Sequence, residues 1–310
     1  MDAKSPTILP AEEPTGLTVQ TPMPLATAGA TALSAQVQAT VAARYMIAMQ
    51  RPRDWDTVRQ KMLAECRRPG FAEVAQYKKP IGGGKFVEGE SIRFAEAAAR
   101  NMGNIVTEVI SVDDDTDKRT LRVVTTDIES NTSFSTDIVV RKAVERRFPK
   151  EGQTVISSRR NSNGDIVHLV EATEDEMLVK SGNAVSKATR NNILRLLPGD
   201  ILDDCLAQCQ QTLAGKVKED PDAARKKLLD AFGFFGVLPQ QIGEYLGHEP
   251  SALSTAELDD LRKQYTAVKT GESSWPQIMQ AKAEALGKEA GAQTAAKTAA
   301  EKVREKTEKA

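Results

Sequence analysis

The stretch from Tyr77 to Gly103 most constrains the fold, because it joins a basic, glycine-rich segment to an amphipathic helix. Lysines flank three consecutive glycines at 82–84, which predicts a turn or loop. Ser91 stands where a helix can begin, apolar residues recur at helical spacing behind it, and Gly103 can end the helix. Because a β-like region follows at once, this stretch predicts the entrance to an α+β core.

The β-like region predicts a small antiparallel sheet built as a meander with hairpins. Its first three segments are joined by short polar connections, and in the third Phe134, Thr136, Ile138 and Val140 occupy alternate positions, as in a half-buried strand. These segments are Ile105–Val112, Thr120–Thr126 and Phe134–Arg141. Further along, Asn163-Gly164 is typical of a tight hairpin turn that would pair Thr154–Ser158 with Ile166–Val170.

Helical patterns surround the sheet. Leu33–Gln50 shows helical spacing, and Asp54 can cap the helix that follows. Asn183–Leu197 predicts a later helix with an apolar arc on one side and Lys187, Arg190, Asn191 and Arg195 on the other. Asp200 then follows Pro198-Gly199 as the expected cap of another helix.

The order of these patterns predicts an α+β fold in five parts. The small antiparallel sheet packed with helices occupies 33–215, behind a proline-rich tail at 1–32 that we expect to be disordered. A polar linker at 216–223 leads to a separate helical C-terminal module at 224–279. The Ala-, Lys- and Glu-rich tail at 280–310 has no sustained apolar stripe, so we expect a solvated helix or disorder there.

The sequence lacks residues that nucleotide-binding and metal-binding motifs require. A phosphate loop needs a glycine where Lys79 stands and a Ser or Thr where Phe86 follows Lys85. Asp113, Asp115 and Asp117 imitate a calcium loop, but Lys118 replaces its glycine and Val124 its bidentate glutamate. No cofactor and no metal are therefore predicted, and the acidic triplet is expected to be a solvated hairpin tip.

Few residues in the sequence have the type and spacing that catalysis requires. Cys205 and Cys209 lie on an apolar helical face, Cys66 is remote from them in sequence, and His168 and His248 are isolated. These features predict a protein that is not an enzyme and that works in a reducing cytosol. No secretory signal and no apolar run of about 20 residues is present, so no membrane association is expected.

The cationic residues are the remaining candidates for function. The net charge is −1, so a polyanion-binding surface must arise from local segregation of charge. Lysine and arginine supply salt-dependent phosphate contacts, and a groove of them can follow a single strand. The candidate DNA-binding residues are Arg93, Arg100, Arg141, Lys142, Arg147, Lys187, Arg190 and Arg195.

The order of motifs resembles phage and prophage single-strand annealing proteins of the RecT/Redβ type. The resemblance rests on AQVQATVAARYMIAMQRPRDW, EGESIRFAEAAARNMGNI, the three-strand region and SKATRNNILRLLPGDI, and it covers roughly 33–215. It implies a core for annealing and oligomerisation, with ATP-independent binding of single-stranded DNA and pairing of complementary strands in phage homologous recombination. The implied partners are single-stranded DNA and further copies in a ring or helical filament, in the cytoplasm of a bacterial host.

The C-terminal module resembles small helical modules of phage recombination proteins, which implies contact with a phage exonuclease or a host single-strand-binding protein. Two other functions stay open at this stage. One is a non-enzymatic phage assembly or partner-recruiting protein without nucleic-acid binding. The other is a metal-dependent nuclease built on Asp113, Asp115, Asp117 and Asp127.

Overall fold

A computed structural model describes residues 28–160 and 164–288. Most of the predicted N-terminal tail, Asn163 of the predicted turn and the C-terminal tail beyond 288 lie outside the described residues. The chain divides into two compact units, one up to Ile47 and one from Ala48 onward. The described part of the first unit is helical and belongs to α1 (Ala28–Gln50), which begins before the predicted Leu33 and ends where expected.

The second unit begins with helices and a hairpin that follow local sequence signals. Asp54 caps α2 (Trp55–Cys66) by accepting a hydrogen bond from the amide of Asp56, and a single turn, α3 (Pro69–Ala72), follows. Strands β1 (Gln76–Gly82) and β2 (Lys85–Glu90) then form an antiparallel hairpin.

The helix predicted after this hairpin is α4 (Ile92–Met102). The Ser91 hydroxyl accepts a hydrogen bond from the amide of Phe94, and Gly103 ends the helix with a φ of 64°. Phe94, Ala95, Ala98 and Met102 on its apolar face are buried in the main core, so this prediction is confirmed.

Two three-stranded antiparallel sheets follow, and they confirm the α+β fold class. The first is a meander of β3 (Ile105–Asp114), β4 (Lys118–Asp127) and β5 (Thr132–Arg141) in chain order. The second contains β6 (Ala143–Arg146), β7 (Val155–Arg160) and β8 (Ile166–Glu171), with β8 in the middle. Strand β7 pairs with β8 as expected.

Helix α5 (Glu174–Leu194) starts earlier than the predicted Asn183. Thr173 and Glu176 form a capping box there, in which each side chain accepts a hydrogen bond from the other residue's backbone amide. Helix α6 (Gly199–Glu219) has Pro198 at its N-cap, so the prediction that Asp200 caps it is wrong. Asp200 lies in the first turn instead, where its negative charge interacts favourably with the helix dipole.

The predicted linker at 216–223 is helical on both sides of Asp220. Residues up to Glu219 complete α6, and α7 (Pro221–Gly233) begins directly after Asp220, whose side chain accepts a hydrogen bond from the amide of Ala223. Proline suits the first position of a helix, because an amide hydrogen there would have no partner within the helix. A new helix can therefore begin directly after Asp220.

The C-terminal helices have a core of their own within the second unit. They are α7, α8 (Pro239–Leu246), α9 (Thr255–Lys269) and a last helix, α10, over residues 275–288. Phe232, Ile242, Leu261 and Ile278 are fully buried in this core. Ion pairs join it to the first hairpin, since Lys78 pairs with Asp260 and Lys263 pairs with Glu88.

The glycine-rich loop is a tight hairpin turn held against α10. Gly82, Gly83 and Gly84 all have positive φ, and the Gly84 amide donates a hydrogen bond of 3.1 Å to a carboxylate oxygen of Glu284. A Cβ at Gly84 would lie 2.6 Å from the backbone nitrogen of Ala285. The predicted turn is therefore confirmed, and close packing on a helix explains why it requires glycine. None of the helices in the described ranges is both long and apolar enough to cross a bilayer.

Candidate nucleic-acid interface

A groove of about 880 Å³ runs between α3, α4, α5 and α9 in the second unit. Its walls carry the cationic side chains Arg68, Arg93, Arg100 and Lys269. The hydroxyl-bearing residues Ser186, Thr266 and Thr270 contribute polar lining. Two carboxylates, Glu96 and Glu272, also line the groove, so the balance of charge on its walls is positive.

Helix α4 presents two of the predicted contacts to this groove. Phe94, Ala97 and Ala98 face the core, which leaves Arg93 and Arg100 on the exposed side of the helix. Within the described ranges, neither guanidinium has a carboxylate oxygen within 4.0 Å. Glu96 lies on the same wall without forming an ion pair to either arginine, so both cations are available to an anionic ligand.

Two further cations of the groove were not predicted from the sequence. Arg68 follows α2 and pairs with Glu65 at the surface, and Lys269 ends α9 with its ammonium 5.7 Å from the ring centre of Tyr265. The Arg67-Arg68-Pro69-Gly70 sequence at a helix end was a usable signal for the first. No local signal places Lys269 beside α4, because that proximity depends on how α9 packs.

Glu272, which lines the groove, is the centre of an ion cluster. Its carboxylate accepts a hydrogen bond from Lys79 at 2.6 Å and pairs with Arg190, and the Lys187 ammonium lies 3.9 Å away. Burial alone would raise the pKa of Glu272, but the hydrogen bond from Lys79 and the neighbouring cationic charges hold it below its ordinary value. Arg190 also lies 4.7 Å from the ring centre of Tyr77.

The prediction that Arg190 faces solvent is wrong. Its side chain is 7% exposed, because Glu272 and the Tyr77 ring enclose it. Arg190 therefore joins α5 to the C-terminal helices and is not free to contact a ligand. Lys187 remains partly exposed at the edge of the same cluster.

The predicted residues after β5 lie in a different place. Arg141 and Lys142 line a second cavity of about 610 Å³, with residues of β5, β7 and β8 in its walls. Lys142 pairs with Asp114 at 2.8 Å, and Arg147 pairs with Asp165. Arg93 and Arg100 therefore line one cavity, and Arg141 and Lys142 line another.

Arg195, the last of the predicted contacts, follows the end of α5. Its guanidinium carbon lies 3.8 Å from the ring centre of Phe134 on β5, which is close enough for a cation–π contact. The side chain is exposed and already oriented by this ring.

The four aspartates of the nuclease hypothesis are not brought together. Asp113, Asp115 and Asp117 surround the β3–β4 turn, whereas Asp127 ends β4 at its other end, about 30 Å away at the usual strand rise. Asp127 is buried in a bidentate pair with Arg53. Across 28–160 and 164–288, no group of three or more histidine, cysteine or acidic side chains could hold a metal ion.

No family model, curated protein or solved structure matches this chain.

Proposed function

We propose that this protein binds single-stranded DNA along the groove beside α4 and anneals complementary strands without ATP. The observation that carries the proposal is the presence of Arg93, Arg100 and Lys269 in one groove, each without a carboxylate partner within 4.0 Å among the described residues. The resemblance to annealing proteins of the RecT/Redβ type points to the same activity and to phage recombination in a bacterial cytoplasm as its setting.

The unpaired state of these cations matters for binding energy. A cation that already holds a carboxylate must exchange it for phosphate, with little net gain. A free cation instead gains a phosphate while the DNA releases its condensed counterions, which is the main source of sequence-independent affinity. This reasoning favours the groove over the Lys142 and Arg147 region, where both cations have carboxylate partners.

The lining of the groove also suits annealing. Of the described residues that line it, Phe71 is the only aromatic one, and it is partly buried in the main core. Base stacking on aromatic rings would occupy the faces of the bases. A groove that holds the backbone by its phosphates leaves those bases free to pair with a complementary strand.

The test compares two variants that lose the same charge. In one, Arg93, Arg100 and Lys269 are replaced with Gln; in the control, the exposed Lys61, Lys218 and Lys226 are replaced with Gln. Each lost phosphate contact should reduce the slope of log K against log salt by about 0.7 for a single strand, so the groove variant should flatten it by about 2. Equal effects of the two variants would place the DNA elsewhere.

A gain of affinity provides the converse test. Glu96→Gln removes a carboxylate from the groove wall without removing a described ion pair, so it should strengthen binding to labelled single-stranded DNA. Annealing of complementary oligonucleotides is then measured without ATP or metal. Wild-type protein that binds single strands but leaves their pairing rate unchanged would refute the annealing part of the proposal.

An exposed apolar patch favours a second candidate, recruitment of a protein partner. At the turn after α7, Phe234 is 88% exposed, Phe235 is 41% exposed and Leu238 is 59% exposed. Exposed apolar clusters of this kind mark interaction surfaces. Wild-type protein without salt-dependent DNA binding would favour recruitment as the main function.

A further inference from the structure

Two strands at sheet edges leave their outer backbone groups without a strand partner in the described chain. Strand β3 is the terminal strand of the meander, and β7 is the terminal strand of the second sheet. Every residue of β7 is exposed, and β3 is exposed from Glu108 to Asp114. Open edges of this kind can pair with a strand of another chain.

The two edges have related sequences with opposite charges. Residues 109–114 of β3 read VISVDD, and residues 155–160 of β7 read VISSRR. In a parallel alignment Val109 and Ile110 meet Val155 and Ile156. The same alignment places Asp113 and Asp114 opposite Arg159 and Arg160.

Apolar side chains at these edges gain from being covered. Val109, Ile110 and Val112 on β3 are each about half exposed, and Ile156 on β7 is 57% exposed. Pairing of the two edges would remove apolar surface from water on both sides, which stabilises association.

Two of the four charged residues already have ion-pair partners within the chain. Arg159 pairs with Glu145 at 2.9 Å, and Asp114 pairs with Lys142 at 2.8 Å and with Arg119 at 3.0 Å. Asp113 and Arg160 are exposed and form no ion pair with the described residues, so another chain can pair with them without breaking one.

One bulge interrupts the regular register of each edge strand. In β3 the shift lies between Ser111 and Asp113, and in β7 it lies between Val155 and Ser157. Bulges discourage indiscriminate edge pairing, and here they precede the charged residues of each strand. Charge is therefore expected to determine which strand pairs with which.

We infer that β3 of one molecule adds in parallel to β7 of a second copy of this chain. Pairing of β3 with β3 in the same register would place aspartates opposite aspartates, and pairing of β7 with β7 would oppose arginines, so like-charge repulsion disfavours both. Pairing of β3 with β7 leaves one open edge of each kind on the resulting dimer. Such a head-to-tail interface extends into a filament or closes into a ring. The inference does not depend on DNA binding.

Charge reversal tests this interface. One variant combines Asp113→Arg with Asp114→Arg, and the other combines Arg159→Asp with Arg160→Asp. All four positions are exposed. Circular dichroism and thermal melting check that each variant is folded. Sedimentation velocity over a concentration series should show wild-type mass rising above the 33.7 kDa monomer. Each variant should need about tenfold or more protein to associate equally.

Rescue separates the interface from general effects of charge. An equimolar mixture of the two variants should associate as wild type does, because each basic edge then meets an acidic one. A single chain with all four reversals should also associate, which covers the case in which one double variant misfolds. A wild type that stays monomeric at every concentration, double variants that associate normally, or a mixture without rescue would each overturn the inference.

Discussion

The buried pair between Arg53 and Asp127 should be among the most sensitive contacts of the fold. The guanidinium donates to both carboxylate oxygens, at 2.9 Å and 2.8 Å, and also to the backbone carbonyls of Met102 and Gly103. Both side chains are only 5% exposed. Arg53 thereby joins the segment before α2 to the end of α4 and the end of β4.

Replacement of Arg53 with Ala would leave the Asp127 carboxylate buried without its cation. Breaking a buried pair costs about 3–5 kcal/mol of unfolding free energy. Asp127 keeps the Ser130 hydroxyl and the Glu129 amide as hydrogen-bond donors. We therefore expect a loss of unfolding free energy at the lower end of this range, about 3 kcal/mol. For a unit of this size that corresponds to a fall in Tm of about 6–12 °C.

Arg122→Ala is the matched control. Arg122 holds Asp137 with two hydrogen bonds of 2.6 Å and 2.8 Å, but the two side chains are 45% and 50% exposed, so its replacement should destabilise the fold far less than that of Arg53. Calorimetry or chemical denaturation measures both variants. Equal losses would refute the reasoning, because both pairs are bidentate but only the Arg53 pair is buried.

The pH dependence gives an independent check on the same pair. Burial alone would raise the pKa of Asp127, but the hydrogen bonds from Arg53 and Ser130 hold it below its ordinary value of 3.8. Its contribution is therefore present above pH 3.8 and is lost as the pH falls through the folded-state pKa. In Arg53→Ala burial prevails and raises the pKa, so the gap to wild type should be widest near neutral pH and narrow towards pH 4. A gap that does not change with pH would contradict this account.

Two further predictions concern the second unit. Gly84→Ala should lower Tm more than Gly83→Ala. Both glycines have positive φ, but only a Cβ at Gly84 would meet the backbone of Ala285, at 2.6 Å. Equal shifts in Tm would show that packing against Ala285 is not the cause. The pKa of His248 should lie above 6.5 because its Nε2 shares a 2.8 Å hydrogen bond with Glu257, whose own pKa falls to about 2. The stability that this pair contributes is present below pH 6.5 and is lost as the pH rises through the raised pKa of His248. The His248 pKa is measured by NMR titration, and a Glu257→Gln variant with an unchanged His248 pKa would exclude this pair as the cause.

Local signals were sufficient for much of the fold. Ser91 and Gly103 bound α4 as predicted, because helix caps act through hydrogen bonds within a few residues. The early start of α5 was missed although Thr173 and Glu176 show the capping-box spacing, so a local signal was present there too. The expected linker failed for the opposite reason, since polar residues around Asp220 suit exposed helix ends as well as loops.

The candidate site was harder to predict because it depends on contacts between distant parts of the chain. Arg93 and Arg100 were identified because α4 is amphipathic and its exposed face can be deduced from its buried one. Arg190 was misplaced because its burial depends on Glu272, 82 positions away, and a charged residue on a helix is usually assigned to solvent. Lys269 was missed for the same reason, since α9 alone does not show that it packs beside α4.

Pairing of charges, more than their number, explains how a chain with net charge −1 can present a groove with unpaired cations, as the proposed phosphate binding requires. Glu73, Glu88 and Glu272 each hold two or more cations at the junction with the C-terminal helices, so many lysines and arginines are already satisfied by carboxylates. Buried or partly buried pairs of this kind resist exchange with an external phosphate, because separating them leaves an uncompensated charge. The cations of the groove that have no such partner are the ones that an external phosphate can neutralise at least cost. A sequence-based search for basic clusters therefore selects too many candidates, and the position of the carboxylates decides among them.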